Sequence, residues 1–203
     1  MDSVPSGLPR HWISGRPAIG LLIAVVLVGV AVTFWTAGSG RGSDSSVMAG
    51  VASPAGTASR FAYLAAQHSN YCSLSPRTVM AYPDGKRMQG SCCNPMNQEK
   101  YDAQVAGLRR YAHLAQIPVD PYDVGASLAK ELLGYDNTIS LTAQQHSTFT
   151  KAMQMTDDKG PCCCQCWRWY MTEGLDKFLM SRLNLPARQV AEITDLTNGC
   201  GGR

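Results

Sequence analysis

Residues 97–134 read NQEKYDAQVAGLRRYAHLAQIPVDPYDVGASLAKELLG. Tyr101, Val105, Leu108 and Ala112 recur every three or four residues, which puts them on one face of a helix. Asp120-Pro121-Tyr122-Asp123 predicts the start of a second helix. There Asp caps, Pro takes the first helical position with its φ already fixed, and Asp123 sits at the positive end of the dipole. Val124, Leu128 and Leu132 continue that face, and Gly134 can close it. The same periodicity extends outward in both directions. Phe61, Leu64, Ala65 and His68 follow helical spacing, and Thr142-Ala143-Gln144-Gln145 is a capping box leading to Phe149, Ala152 and Met153. Pro161 predicts the opening of a helix whose stripe is Trp167, Met171, Leu175 and Phe178. Asn184 with Pro186 starts a short last helix that Gly199 ends. One stretch differs: TVMAY and KRMQG flank Pro83-Asp84-Gly85, a turn signal between strand-favouring residues, and predict a β-hairpin. The expected fold class is therefore all-α: an irregular bundle of five or six helices over residues 59–203 with a small hairpin excursion.

The other end of the chain has a different character. Residues 18–35 read AIGLLIAVVLVGVAVTFW, without a charge and without the polar face that a buried soluble helix carries. A run of this length suits one crossing of a hydrocarbon core about 30 Å thick. The residues after it make a poor signal-peptidase site, because a cut after Ala37 would put the bulky Trp35 at the critical position and a cut after Gly38 would put Thr36 there, which is tolerable but weak. The run therefore reads as an uncleaved transmembrane anchor over residues 18–36, preceded by a short cytoplasmic segment over residues 1–17. Arg10 and Arg16 precede the run and only Arg41 follows closely, so the positive-inside rule keeps the N-terminus cytoplasmic. The expected location is the plasma membrane, single-pass, with the C-terminal domain extracytoplasmic and the lipid bilayer as its first partner. Residues 37–58 are dominated by Gly, Ser and Ala and read as a flexible linker with a mean reach of about 25 Å.

Charge narrows the function further. Eighteen Lys and Arg against fifteen Asp and Glu give a net charge of +3, which is not the clustered positive field of a nucleic-acid binder. No haem-attachment C-x-x-C-H, no phosphate loop, no H-E-x-x-H and no G-x-S-x-G is present, so no catalytic residue is assigned and a binding role is favoured over an enzymatic one.

Cysteine placement carries most of the remaining information. The eight cysteines, Cys72, Cys92, Cys93, Cys162, Cys163, Cys164, Cys166 and Cys200, all fall after the linker. Six of them crowd into GSCCNPM and GPCCCQCW. Thiolates and thioethers select soft ions such as Cu(I), and four thiolates satisfy zinc. Met88 and Met96 bracket Cys92 and Cys93 in a loop bent by Gly90 and Pro95. Cys163 and Cys166 form a C-x-x-C pair. If a helix begins near Pro161, Cys162 and Cys166 share one flank, with Cys163 and Cys164 nearer the core stripe. The expected activity is binding of copper or zinc, in metal handling or sensing. Cys92, Cys93, Cys163 and Cys166 form the expected core of the site, and Cys72, Cys162, Cys164, Met88 and Met96 are accessories. Cys200 reads as a terminal staple to Cys72. Two alternatives remain. Structural disulfides fit an extracytoplasmic domain and an even count, although the cysteine content lies below the ~8–10% of disulfide scaffolds. Thiol–disulfide chemistry at Cys163/Cys166 would use a helix N-terminus to stabilise thiolate, with a thiol partner.

Overall fold

A computed structural model describes residues 53–202. The anchor, the cytoplasmic segment and most of the linker lie outside the described residues. Among the described residues no helix is long and apolar enough to cross a membrane.

The described residues fold as seven α-helices, where five or six were expected, and two short strands: α1 (Ala58–Ala65), α2 (Pro76–Met80), β1 (Arg87–Gln89), α3 (Gln98–Leu108), β2 (Asp123–Gly125), α4 (Ala126–Thr138), α5 (Ala143–Met155), α6 (Trp167–Arg182) and α7 (Ala187–Thr197). A single 3-10 turn, Arg109–Tyr111, extends α3. The first turns are fixed by local hydrogen bonds that satisfy otherwise orphaned N–H groups. Thr57, Ser75 and Asn97 side chains accept from Arg60, Thr78 and Lys100 N–H groups respectively. The capping box forms at α5, where Thr142 Oγ1 accepts from Gln145 N and the Gln145 side chain accepts from Thr142 N. The end of the Gly/Ser/Ala-rich stretch is held against the domain, since Gly56 N–H donates to Tyr101 Oη and Ala55 packs beside Leu64 and Val105.

Helix α6 is the centre of the core. Trp167, Met171 and Leu175 are buried there, as the stripe predicts, but Leu179 takes the fourth core position and Phe178 packs on the margin against Tyr135. Its closest neighbour is α4. At Gly174 an added Cβ would lie 1.9 Å from Leu132 O, so the two helix backbones meet where only glycine fits.

Three local expectations are corrected. An antiparallel two-stranded excursion exists and KRMQG supplies one strand, but its partner is distant: Met88 pairs with Val124, Arg87 with Gly125 and Gln89 with Asp123. TVMAY is not a strand. Ser75 caps it and Pro76 at the first turn commits it to α2, which buries Val79 completely. Second, Asp120-Pro121 does not open a helix. The Asp120 carboxylate accepts from Tyr122 N–H and its carbonyl from Asp123 N–H, closing a turn; Asp123 is then taken into a buried ion pair with Arg60 and a second with Arg87, and residues 123–125 run as a strand until Gly125 caps α4. Third, α6 begins at Trp167 and not after Pro161, so Cys162 and Cys166 do not share a helix flank. Residues 161–166 form a run of bends instead, pinned where Trp167 N–H donates to Leu74 O.

Candidate metal centre

Three segments build the site. The first is the loop 90–95. Gly90 takes φ +90°, and a Cβ there would lie 2.1 Å from Gln67 O, so the loop enters against the end of α1 through a position only glycine tolerates. Asn70 ties this loop to α6: its Nδ2 donates to Gly90 O, and its Oδ1 accepts from Trp167 Nε1. The second segment is the bend 161–166, which ends at the N-cap of α6. The third is the C-terminal Gly199-Cys200-Gly201-Gly202 turn. It is stitched to the first loop by Cys92 N–H to Gly199 O, Asn94 N–H to Cys200 O and Gly202 N–H to Pro95 O. Gly201 takes φ +91°, and its absent side chain would sit 2.1 Å from Asn94 O.

These three segments, with Cys72 after α1, bring all eight cysteines into one group. Cys93 Sγ lies 3.3 Å from Cys163 Sγ and 3.7 Å from Cys164 Sγ. Cys72 Sγ is 2.8 Å from Cys164 Sγ. Cys200 Sγ is 2.6 Å from Cys162 Sγ and 3.3 Å from Cys92 Sγ. Sets of three sulfurs mutually within 4.8 Å include Cys72/Cys93/Cys164, Cys92/Cys93/Cys200, Cys92/Cys162/Cys166 and Cys162/Cys163/Cys164. The cluster can hold a metal ion, or support disulfide or redox chemistry.

The two cysteine windows do meet, although separated by some seventy positions. Cys200 was missed as a site residue. It does not staple Cys72, which faces Cys164; it lies at the floor of the group with Cys92 and Cys162. The sequence signal for this was the run of glycines around it, which permits the backbone to approach the 92–95 loop. The two methionines sit elsewhere. Met88 is fully buried in the main apolar cluster opposite Val124, and Met96 packs beside Leu64, Tyr101 and Tyr122. Met96 also lines a cleft of about 410 Å³ that opens beside Cys93, together with His68, Asn70 and Tyr71.

Burial and charge differ through the group. Cys72, Cys93 and Cys163 are exposed, while Cys92, Cys162, Cys166 and Cys200 are buried. Burial pushes the Cys93 thiol up to about 11 and the Cys163 thiol up to about 12, and it raises Cys164 as well. Burial thus works against the thiolate at Cys163, and the helix that was expected to favour it starts four residues further on. At the floor, hydrogen bonds from Cys162 and Cys92 lower Cys200 to about 5, against the opposing effect of burial, and the Arg168 charge adds to the lowering. The same hydrogen-bonded set raises Cys92, which keeps its proton and donates it.

Arg168 is the unusual neighbour. It is 1% exposed, and its guanidinium lies 5.0 Å from the Trp167 ring. Nη2 donates to Pro121 O at 2.6 Å, whereas Nε and Nη1 have no hydrogen-bond partner among the described residues. No carboxylate pairs with it among the described residues; its charge acts on Cys92, Cys200 and the Tyr122 phenol. Gly199 makes room for it, since a Cβ there would lie 2.5 Å from its Cζ. A buried cation is costly unless an anion offsets it, and the groups here able to carry that negative charge are the Cys92 and Cys200 sulfurs on which it acts.

No family model matches the chain, and no curated protein or solved structure is significantly similar to it.

Proposed function

We propose that residues 59–203 form a thiolate domain that binds a soft metal ion, Cu(I) in preference to zinc, and that residues 18–36 tether it to the plasma membrane with the domain on the outer side. The observation that carries this reading is the grouping of the sulfurs in overlapping threes. A zinc tetrahedron with bonds of about 2.3 Å requires four sulfurs mutually about 3.8 Å apart. The mutually close sets among the described residues are threes, which suit an ion of lower coordination. Sharing of Cys92, Cys93, Cys162 and Cys164 between sets is also what a thiolate group with bridging sulfurs uses. Arg168 supports a charged sulfur group, as neutral disulfides would leave it buried without a counter-charge.

Anaerobic titration of reduced full-length protein in detergent with Cu(I) tests this. The expected result is stoichiometric binding of more than one ion, with thiols shielded from alkylation until a chelator removes the metal. Purified protein with neither free thiols nor affinity for Cu(I) would overturn it. Labelling of intact, reduced cells with a membrane-impermeant thiol reagent tests the topology: reaction only after lysis would put the domain on the cytoplasmic side.

A second reading has one specific observation in its favour. The Cys72–Cys164 and Cys162–Cys200 sulfurs need to move less than about 1 Å to reach the S–S bond length. Disulfides at these pairs would predict a large fall in melting temperature on reduction, since losing a native bridge costs about 2–5 kcal/mol.

A further inference from the structure

We infer that the sulfur group is divided into two sites of unequal exchange: an outer Cys72/Cys93/Cys164 set that takes up and releases metal, and an inner Cys92/Cys162/Cys166 set that retains it, with Arg168 as the inner counter-charge. This rests on the thiolate reading above and adds a division of labour to it.

The geometry is specific on three points. First, the two sets share no residue, so both can be filled at once. The outer set has two exposed members and one half-buried, whereas Cys92, Cys162 and Cys166 are 7%, 4% and 4% exposed. A competing ligand reaches an outer ion directly; an inner ion must first leave its site.

Second, the other two sets join the tiers. Cys92/Cys93/Cys200 takes Cys93 from the outer set and Cys92 from the inner one. Cys162/Cys163/Cys164 takes Cys164 from the outer set and Cys162 from the inner one. An ion can therefore pass from surface to floor through three-sulfur sites while keeping at least one sulfur bound at every step. Each exchange is proton-neutral overall: the incoming thiol gives up a proton, the outgoing thiolate takes one, and no electron moves. Cys163 and Cys200 act here as transfer ligands, which gives a role to the two cysteines that belong to neither end site.

Third, a buried cation stands at the floor: the Arg168 guanidinium lies against Gly199, next to Cys200, and its charge acts on Cys92 of the inner set and on Cys200 of the set that leads to it. Three thiolates out of contact with water are destabilised by desolvation more than three at the surface. The unpartnered Nε and Nη1 of Arg168 supply the compensating charge at that depth. The 410 Å³ cleft is lined by Cys93 of the outer set and by the buried Cys92 of the inner one, with the polar Gln67, Asn70 and Asn94 beside them; the exposure of Cys72 and Cys93 makes the outer set the one a small metal–thiol complex reaches first.

The test is stopped-flow extraction of copper from reduced full-length protein in detergent, loaded anaerobically with Cu(I)–glutathione, using bathocuproine disulfonate as the competing chelator. Two phases of equal amplitude are expected, with rates at least tenfold apart. Cys72→Ser/Cys164→Ser should lose the fast phase and keep the slow one. Arg168→Gln should turn the slow phase fast while leaving the outer phase unchanged, and Arg168→Lys should restore a slow phase. If Arg168→Gln fails to fold by circular dichroism, the double serine variant decides alone, as its changes lie at the exposed rim. Failure to bind Cu(I) at all would remove the thiolate reading. Binding with a single extraction rate, or loss of both phases in Cys72→Ser/Cys164→Ser, would leave that reading intact and overturn the division into two tiers.

Discussion

Replacing Gly199 by Ala tests the link between the chain end, Arg168 and the sulfur floor. The added Cβ would sit 2.5 Å from both Arg168 Cζ and Pro121 O, about 0.9 Å short of ordinary contact on two sides at once. Neither neighbour is the free end of a flexible side chain: one is backbone, the other a guanidinium held at 1% exposure. Overpacking of this kind costs about 1–3 kcal/mol. Moving the guanidinium also endangers its hydrogen bond to Pro121 O, a charge-assisted bond worth about 1.5–3 kcal/mol. Because only part of each loss is realised after relaxation, a net destabilisation of about 2–4 kcal/mol is expected in the reduced protein. The control is Gly134→Ala. It lies inside α4 with nothing within 4 Å of the new methyl, so it should stabilise by up to about 1 kcal/mol through helix propensity. Urea unfolding of both variants at one pH under reducing conditions separates steric exclusion from a general effect of adding a methyl. A Gly199→Ala midpoint within about 0.5 kcal/mol of the parent would refute the placement of Arg168 beside the chain end.

Three further outcomes follow from the same coordinates. Gly174→Ala forces a methyl to 1.9 Å from Leu132 O, so α4 and α6 must separate; a loss above about 3 kcal/mol in urea melts is expected, despite the gain in helix propensity. Asp176 is fully buried, and burial, with the nearby Glu173 and Asp195 charges, raises its carboxyl well above the ordinary value while Thr194 Oγ1 donates to it. A folded pKa raised in this way gives stability that is present below the unfolded pKa and is lost as pH rises through the folded one. Asp176→Asn should therefore gain on the parent between pH 4 and pH 8, and parallel pH profiles for the two proteins would contradict this. Thr142→Ala removes the exposed capping box of α5 and should cost about 1 kcal/mol, measured by thermal unfolding, without altering metal stoichiometry.

The helices were legible where a local signal decided them. Thr142 with Gln145 fixed the start of α5, and the Trp167–Met171–Leu175 stripe found the central helix, because periodicity and caps act within one turn. What failed depended on distant partners. Asp123 reads as a dipole-favoured first-turn acid, but Arg60 and Arg87 claim it from outside the segment and hold it in a strand. Val79 and Tyr82 read as strand formers, yet Ser75 and Pro76 set a helix that buries Val79. At the site, cysteine density identified six of the sulfurs as members of the group and Cys72 was added as an accessory, but Cys200 was set apart because no neighbouring cysteine marked it. Only the approach of the Gly199–Gly202 turn to the 92–95 loop brings it in, and such a pairing leaves no periodic trace. Arg168 reads from the sequence as a positive charge near the cysteines, but nothing local announces that it is buried with Trp167, Gly199 and Pro121 around it.

The charge of Arg168 also bears on the chemical state of the sulfurs, since it acts on Cys92 and Cys200. Oxidation of the floor to disulfides would make it neutral, whereas thiolates, free or holding a monovalent ion, leave it negative. The polypeptide around it is the same in either case, so the balance falls on one buried guanidinium with two unpartnered nitrogens. Removing the anion from a buried pair costs about 3–5 kcal/mol, because the remaining charge stays desolvated. A bridge at Cys162–Cys200 adds a comparable stabilisation by shortening the unfolded chain's freedom. The two effects nearly cancel at this position, which is not so at Cys72–Cys164, where no buried cation is involved. Oxidation with a mild reagent should accordingly close the Cys72–Cys164 pair with a rise in unfolding temperature, and Cys162–Cys200 with little or none. Mapping the bridges by mass spectrometry at each stage of oxidation, with melting temperature followed in parallel, distinguishes the two. An equal rise for both pairs would mean that Arg168 does not depend on negative sulfur, and that the floor is built for disulfides.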